Sequence, residues 1–298
     1  MFLNVGCSNE QNQSSKIVNS NESKMDIKYK IVFLDKYIKD YINKFEDGTI
    51  NNKELFQETV FTPILQEYSV NFKNLLPKTV EDIDGLKEEL SCLTKERDNI
   101  EKIIKDTLNK CNGLLHTNED LSIYVLLEDP NVFKRFNVPV RALTPTSGTM
   151  LLILNPIATD FTTFLPYTVG HEYHHSVAMH NIEKMTLVTQ LMSEGKAETF
   201  AHILFPDVKS KLSDKLNENE EYKVWNEIKD NISSEDVNLI SKILNGGKDE
   251  VSLFGGYRLG YEIVQEFVNK NPNVNVNEWT SMKAEDILEK SGYPKKWN

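Results

Sequence analysis

Long apolar runs are missing from this 298-residue chain. The longest purely apolar one is MLLIL, Met150 to Leu154, far short of the roughly 20 residues that a membrane-crossing helix needs. Positive charge is in deficit too. Thirty-four Lys and Arg face 45 Asp and Glu, a formal net charge of −11. Such a balance repels phosphate backbones and anionic lipid heads, and so argues against nucleic acid or a bare membrane surface as a partner. Cysteine is scarce: Cys7, Cys92 and Cys111. The last two fall in one helix-like segment, where a ~1.5 Å rise per residue sets them roughly 28 Å apart, beyond the ~7 Å reach of a disulfide. Histidine is scarce as well. There are six, yet three of them crowd into GHEYHH, Gly170 to His175. What the chain does have is apolar residues at 39%, including 14 Phe and 11 Tyr, enough for a real core in one or two domains.

The chain opens MFLNVGC and continues SNEQNQSSK. A small residue before a cysteine, after apolar residues and ahead of a polar tract, resembles the end of a bacterial lipoprotein signal. There the cysteine is lipidated and becomes the mature N-terminus. Six residues are too few for a charged start plus an apolar stretch of ~7–15 residues, and Asn4 departs from the pattern. The resemblance therefore implies a start further upstream, with lipidation at Cys7 and an extracytoplasmic, membrane-anchored protein. The alternative is a cytoplasmic protein with a polar tail and an exposed cysteine. Residues 1–24 are expected as a tether, since their Ser, Asn, Gln, Glu and Lys cannot bury enough surface to order.

Periodicity predicts helices over Met25–Phe45, Lys53–Phe72 (bent by Pro63) and Thr79–Lys110, a helical N-terminal region over 25–116. The pattern then changes. Leu121–Leu127, Val138–Leu143 and Thr149–Leu154 read as strands, the last two joined by the turn residues TPTSG. Helical segments follow at Leu165–Asn181, Lys184–Phe205, Lys211–Ile232, Glu235–Leu244, Gly255–Asn269 and Glu278–Ser291. The expected class is α+β, mostly helical, with a small sheet followed by helices over 117–298.

GHEYHH contains HExxH. On a helix, positions four apart share a face, so His171 and His175 can grip one ion while Glu172 reaches a water beside it. Zinc suits two imidazole nitrogens and leaves room for water when three protein donors bind. His174 is one step round from His175 and is expected to border the site or pack, not to ligate. His180 is expected to be structural, on the core stripe with Val169 and Tyr173. The next predicted helix carries Leu187, Leu191, Glu194, Glu198, Ala201 and Phe205 on one face. Two carboxylates interrupting an apolar stripe are expected to be paired or bound to metal, because burying an unpaired carboxylate is costly; the alternative is that both sit on a solvated edge.

Eighteen residues separate His175 from Glu194. This resembles the gluzincin metallopeptidases, in which a glutamate on the following helix completes the HExxH site. HEYHH, SEGKAE (Ser193 to Glu198) and GGYRLGY (Gly255 to Tyr261) together are similar to the signature of a bacterial family of predicted Zn-dependent proteases, some described only as domains of unknown function or as lipoproteins. The resemblance covers roughly residues 120 to 270. It implies a zincin-like metallopeptidase core with one Zn2+ per chain, held by His171, His175 and Glu194. It also implies Glu172 as general base, Glu198 as the acid holding a ligand histidine, and TMLLIL as an edge strand along which an extended peptide or protein substrate lies. A ligating histidine in any case needs a carboxylate or carbonyl to take its other N–H, which fixes its tautomer.

The expected activity is hydrolysis of peptide bonds, with zinc as Lewis acid and Glu172 moving the proton. An oxyanion needs a second donor. Tyr257 is the first candidate, on a glycine-rich helix that permits close approach. Tyr261, Arg258 and His174 are further candidates for oxyanion or substrate contacts, and Arg258 could instead neutralise Glu198. Two other readings stay open: a non-catalytic zinc lipoprotein acting as a binding or assembly factor, and a metal hydrolase acting on something other than peptides.

Overall fold

The computed structural model describes residues 27–46, 52–73, 75, 79–181, 184–246 and 252–297. Cys7 and the polar tether lie outside them. The fold is α+β, with four strands and a majority of helix among the described residues. The first strand, β1 (Tyr29–Phe33), occupies part of the segment expected as helix 25–45, and among its described residues the helix is confined to α1 (Asp35–Glu46). Then come α2 (Asn52–Phe56) and α3 (Thr62–Tyr68), joined by a π turn over Gln57–Phe61 directly before Pro63. Proline lacks the N–H and crowds the preceding turn, so the helix widens where the bend was expected.

The long α4 (Ile83–Leu114) starts where the Asp82 side chain accepts from the Gly85 N–H. The sheet continues with β2 (Leu121–Leu126), then α5 (Pro130–Phe136), β3 (Val140–Thr146) and β4 (Thr149–Leu154). Helix α5 carries no clear periodic signal. It follows Asp129, whose side chain caps the Asn131 N–H, with Pro130 at the first helical position. The site helices are α6 (Phe161–Ala178) and α7 (Leu187–Leu204). Beyond them lie α8 (Glu218–Lys229), α9 (Val237–Asn245) and α10 (Gly255–Lys270). The single helix expected over 278–291 is two, α11 (Val276–Ser281) and α12 (Ala284–Ser291), each with its own N-terminal residue in extended conformation.

Strand order is β1-β2-β4-β3, with β1, β2 and β4 parallel and β3 antiparallel to β4. TMLLIL is thus not an edge strand. It is β4, paired on both sides, and the outer strand beside it is β3. The reason is visible in composition. Met150 through Leu154 are all fully buried, as expected of a strand covered on both faces, whereas β3 reads VRALTPT and is mostly half-buried or exposed. Helix α6 lies against β3 and β4, α4 lies along α6, α7 packs across α6, and α10 packs across α7. On the sheet, Tyr124 meets Tyr68 and Phe72 edge-on, each at 5.6 Å between ring centroids. Cys92 and Cys111 are free thiols on α4.

One buried acid costs stability. Glu89 of α4 is fully buried, and neither carboxylate oxygen has a hydrogen-bond partner. Burial first, then the negative charges of Glu128, Asp82 and Asp129, push it from 4.5 up to about 9. Lys134 opposes the shift only weakly. Glu89 therefore stays protonated in the fold at pH values where the unfolded chain has lost the proton. Its contribution is fully present below about pH 4.5 and is lost as pH rises toward 9, with a slope of at most ~1.4 kcal/mol per pH unit. Glu89→Gln is expected to flatten that loss: chemical denaturation should show the variant gaining on the wild type steadily between pH 5 and 8. A constant difference across that range would contradict it.

Candidate metal centre

Helix α6 brings His171, Glu172 and His175 to one side, and α7 lays Glu194 and Glu198 against them. Three donor atoms converge. His171 Nε2 stands 3.1 Å from His175 Nε2, Glu194 Oε2 is 3.3 Å from the first and 3.2 Å from the second. Three atoms bound about 2.0–2.1 Å from a tetrahedral zinc ion would stand roughly 3.3 Å apart. The protons are placed to match. His171 Nδ1 lies 3.1 Å from Glu198 Oε2. A carboxylate only accepts, so Nδ1 carries the hydrogen and Nε2 presents its lone pair to the centre. His175 Nδ1 is similarly met by Ser193 Oγ at 3.3 Å. Two imidazole lone pairs and a carboxylate oxygen directed at one point fit a divalent cation. Among the described residues, His171, His175 and Glu194 are the group with this geometry.

The same contacts keep both acids ionised. Burial opposes charge on Glu194, yet His175 and then His171 outweigh it and hold the carboxyl well below its usual range. Glu198 is buried too, and is kept ionised by His171 and by the Ser210 and Tyr167 hydroxyls. Tyr167 of α6 donates to Glu198 Oε1 at 2.6 Å. Glu172, one residue after His171, is outside the three-donor group. Its Oε2 accepts from Thr144 Oγ1 of β3 at 2.7 Å.

The glycines explain how α10 reaches the site. A Cβ at Gly195 would stand 2.2 Å from the Gly260 carbonyl oxygen, and one at Gly260 would stand 2.4 Å from that of Leu191. Only glycine lets α7 and α10 approach so closely. Tyr257, one turn before Gly260, is carried toward the acids. Its hydroxyl is pushed well above the ordinary tyrosine range by the negative charge of Glu194, then by burial, then by Glu172. Tyr261 faces elsewhere. Its ring meets His202 edge-on at 5.9 Å, and burial followed by Glu198 pushes its hydroxyl up to about 12.

Three expectations are corrected. Arg258 neither faces the centre nor neutralises Glu198: its Nε donates to the Asp214 carbonyl at 2.8 Å and its Nη2 to that of Lys215 at 2.9 Å, tying α10 to the loop before α8. His174 packs, one of the two places expected for it, and its full burial keeps it from the oxyanion or substrate contact that is the other expectation. It stacks on Trp279 at 5.4 Å and its Nε2 meets Thr280 Oγ1 at 3.2 Å. His180 is not on a core stripe. The helix has ended, and its ring is 58% exposed, bound to Glu119 and to Ser147 Oγ. Lys196, between the two glutamates, points away from them and donates to the Thr280 and Met282 carbonyls at 3.1 and 2.7 Å. Burial pulls its amine down to about 8.

Sequence reasoning passed over Thr144, Tyr167 and Ser193. Ser193 precedes Glu194 directly and could have been noticed. Thr144 belongs to TPTSG, whose composition reads as a turn, and nothing in its neighbours distinguishes it.

On this α+β scaffold an HExxH helix and its neighbour bring together three donors that could hold a metal ion. Comparison with known proteins is more specific. The chain belongs to the family described as "Predicted Zn-dependent protease (DUF2268)", which matches residues 100–289, from the middle of α4 through α12. The uncharacterized protein YjfC of Bacillus subtilis (strain 168) is 26% identical over 146 residues, 43% of this chain and 47% of that protein. The chain thus matches about half the length of that relative. No solved structure matches.

Proposed function

We propose that this chain is a zinc-dependent peptidase with a zincin-like core, hydrolysing peptide bonds with Glu172 as general base. The observation that carries the reading is the convergence of His171 Nε2, His175 Nε2 and Glu194 Oε2 within 3.3 Å of one another, beside a glutamate that is not a donor. A purely structural zinc site closes its fourth position with another protein ligand, and three donors converge here among the described residues.

Zinc held there by His171, His175 and Glu194 would supply Lewis acidity, which polarises a carbonyl and lowers the pKa of water toward ~7. Glu172 takes the water's proton and passes it to the leaving amine. Tyr257 directs its hydroxyl hydrogen at the oxyanion that forms on the carbonyl, and the negative surroundings that keep this phenol protonated preserve it as a donor. Glu198, braced by Tyr167, holds the proton on His171 Nδ1. Ser193 does the same for His175. Outer strand β3 is the surface along which an extended peptide would add, since a strand edge offers main-chain donors and acceptors. Lipidation at Cys7, with a place on the outer face of a bacterial membrane, belongs to the same reading and rests on the NVGC motif alone.

Protein purified without chelator is expected to carry one zinc per chain by elemental analysis. Chelation should abolish cleavage of a peptide library, and stoichiometric zinc should restore it. A zinc content below about a tenth of an equivalent that added zinc does not raise would overturn the assignment.

A further inference from the structure

We infer that Thr144 is a positioning residue for the base, and that the bulge in β3 exists to aim its hydroxyl at Glu172. The inference rests on the peptidase reading above. Pairing between β3 and β4 runs regularly from Val140↔Leu154 to Leu143↔Leu151, then resumes at Thr146↔Thr149. Two residues, Thr144 and Pro145, therefore oppose Met150 alone. An extra residue of this kind breaks the ladder and turns a side chain out of register. Pro145 has no N–H to leave unpaired, so it tolerates the interruption.

The side chain so released is Thr144. Its Oγ1 stands 2.7 Å from Glu172 Oε2 and 3.2 Å from the Glu172 backbone carbonyl. A hydroxyl has one hydrogen, and a carboxylate is the stronger acceptor, so the hydrogen goes to Oε2. Glu172 is almost wholly buried, which makes an unanchored carboxylate there costly and its orientation decisive. With Oε2 held, Oε1 is the oxygen left to take and return the proton. The same outer strand would then both receive the peptide and orient the base. Because the contact is made by a side chain, and a docking peptide would use the backbone, substrate binding and base positioning are separable.

The test uses zinc-loaded full chain as wild type, Thr144→Val and Thr144→Ser. Valine keeps the branched shape and removes the hydroxyl; serine keeps the hydroxyl. On a peptide that the wild type cleaves, Thr144→Val is expected to lower kcat by about 10–100-fold, with KM within about twofold. Zinc affinity should be unchanged, Thr144→Val should melt a few degrees lower because a buried carboxylate loses a partner, and Thr144→Ser should recover most of both kcat and melting temperature. Full kcat in Thr144→Val, or equal impairment in the two variants, overturns the inference. So does a loss confined to KM. If the wild type cleaves no peptide, the peptidase reading fails on its own. Crystal structures of the zinc-loaded proteins then decide the positioning claim. A Glu172 carboxylate that turns away in Thr144→Val supports it, and one that keeps the wild-type orientation sinks it.

Discussion

Glu172→Gln is expected to keep its zinc and its fold while losing peptide turnover by about 10²–10⁴-fold, the usual worth of a positioned general base. Its carboxylate is bound by Thr144 and is outside the three-donor group. Glu194→Ala should behave differently, losing zinc affinity and activity together, because two histidines alone make a weak site. Glu198→Ala should be intermediate. Its carboxylate touches His171 Nδ1 and not the centre, so zinc should weaken by roughly 10–100-fold without being abolished. Titration of the three variants against a chelating dye separates these roles. If Glu198→Ala strips the metal while Glu194→Ala retains it, the donor assignment is wrong.

Gly195→Ala is expected to be among the most damaging changes away from the donors themselves. In an open helix the substitution would gain up to about 1 kcal/mol. Here the new Cβ would stand 2.2 Å from the Gly260 carbonyl oxygen and 2.4 Å from its carbon. Both are backbone, so neither can rotate aside and α10 must move. Forced overpacking costs about 1–3 kcal/mol and more where backbone is displaced, which should lower the melting temperature by roughly 5–10 °C. Activity should fall further than stability, because α10 carries Tyr257 and a shift of about 1 Å at a reacting group can cost 10²-fold. Gly113→Ala on α4, whose Cβ would meet nothing within 4 Å, is the control and should be neutral or stabilising. Equal melting temperatures for the two variants would contradict the close helix crossing.

The site was more legible than the scaffold. HExxH sets its own geometry once it lies on a helix, and Glu194 and Glu198 stand out because an apolar stripe has no other use for two carboxylates. The helix periods carried too far elsewhere. Ile27, Ile31, Leu34 and Ile38 are spaced as on a helix, and the run conceals that YKIVF is a strand pairing with β2. A core position for His180 requires the α6 wheel to continue past Ala178, where the helix ends. TMLLIL looked like an edge because it precedes the site, yet its unbroken apolar run is the mark of an interior strand. Arg258 and His174 are settled by carbonyls and rings that stand 43 or more residues away in sequence, which no local pattern reveals.

The most direct measurement is the set of new peptide termini that appear when zinc-loaded wild type and Glu172→Gln are each incubated with a proteome-derived peptide library. The wild type should generate termini that share a residue preference around the cut. Glu172→Gln, with its zinc and melting temperature intact, should generate almost none. Identical termini from both proteins, or none from the zinc-loaded wild type, would contradict hydrolysis of peptides at this centre.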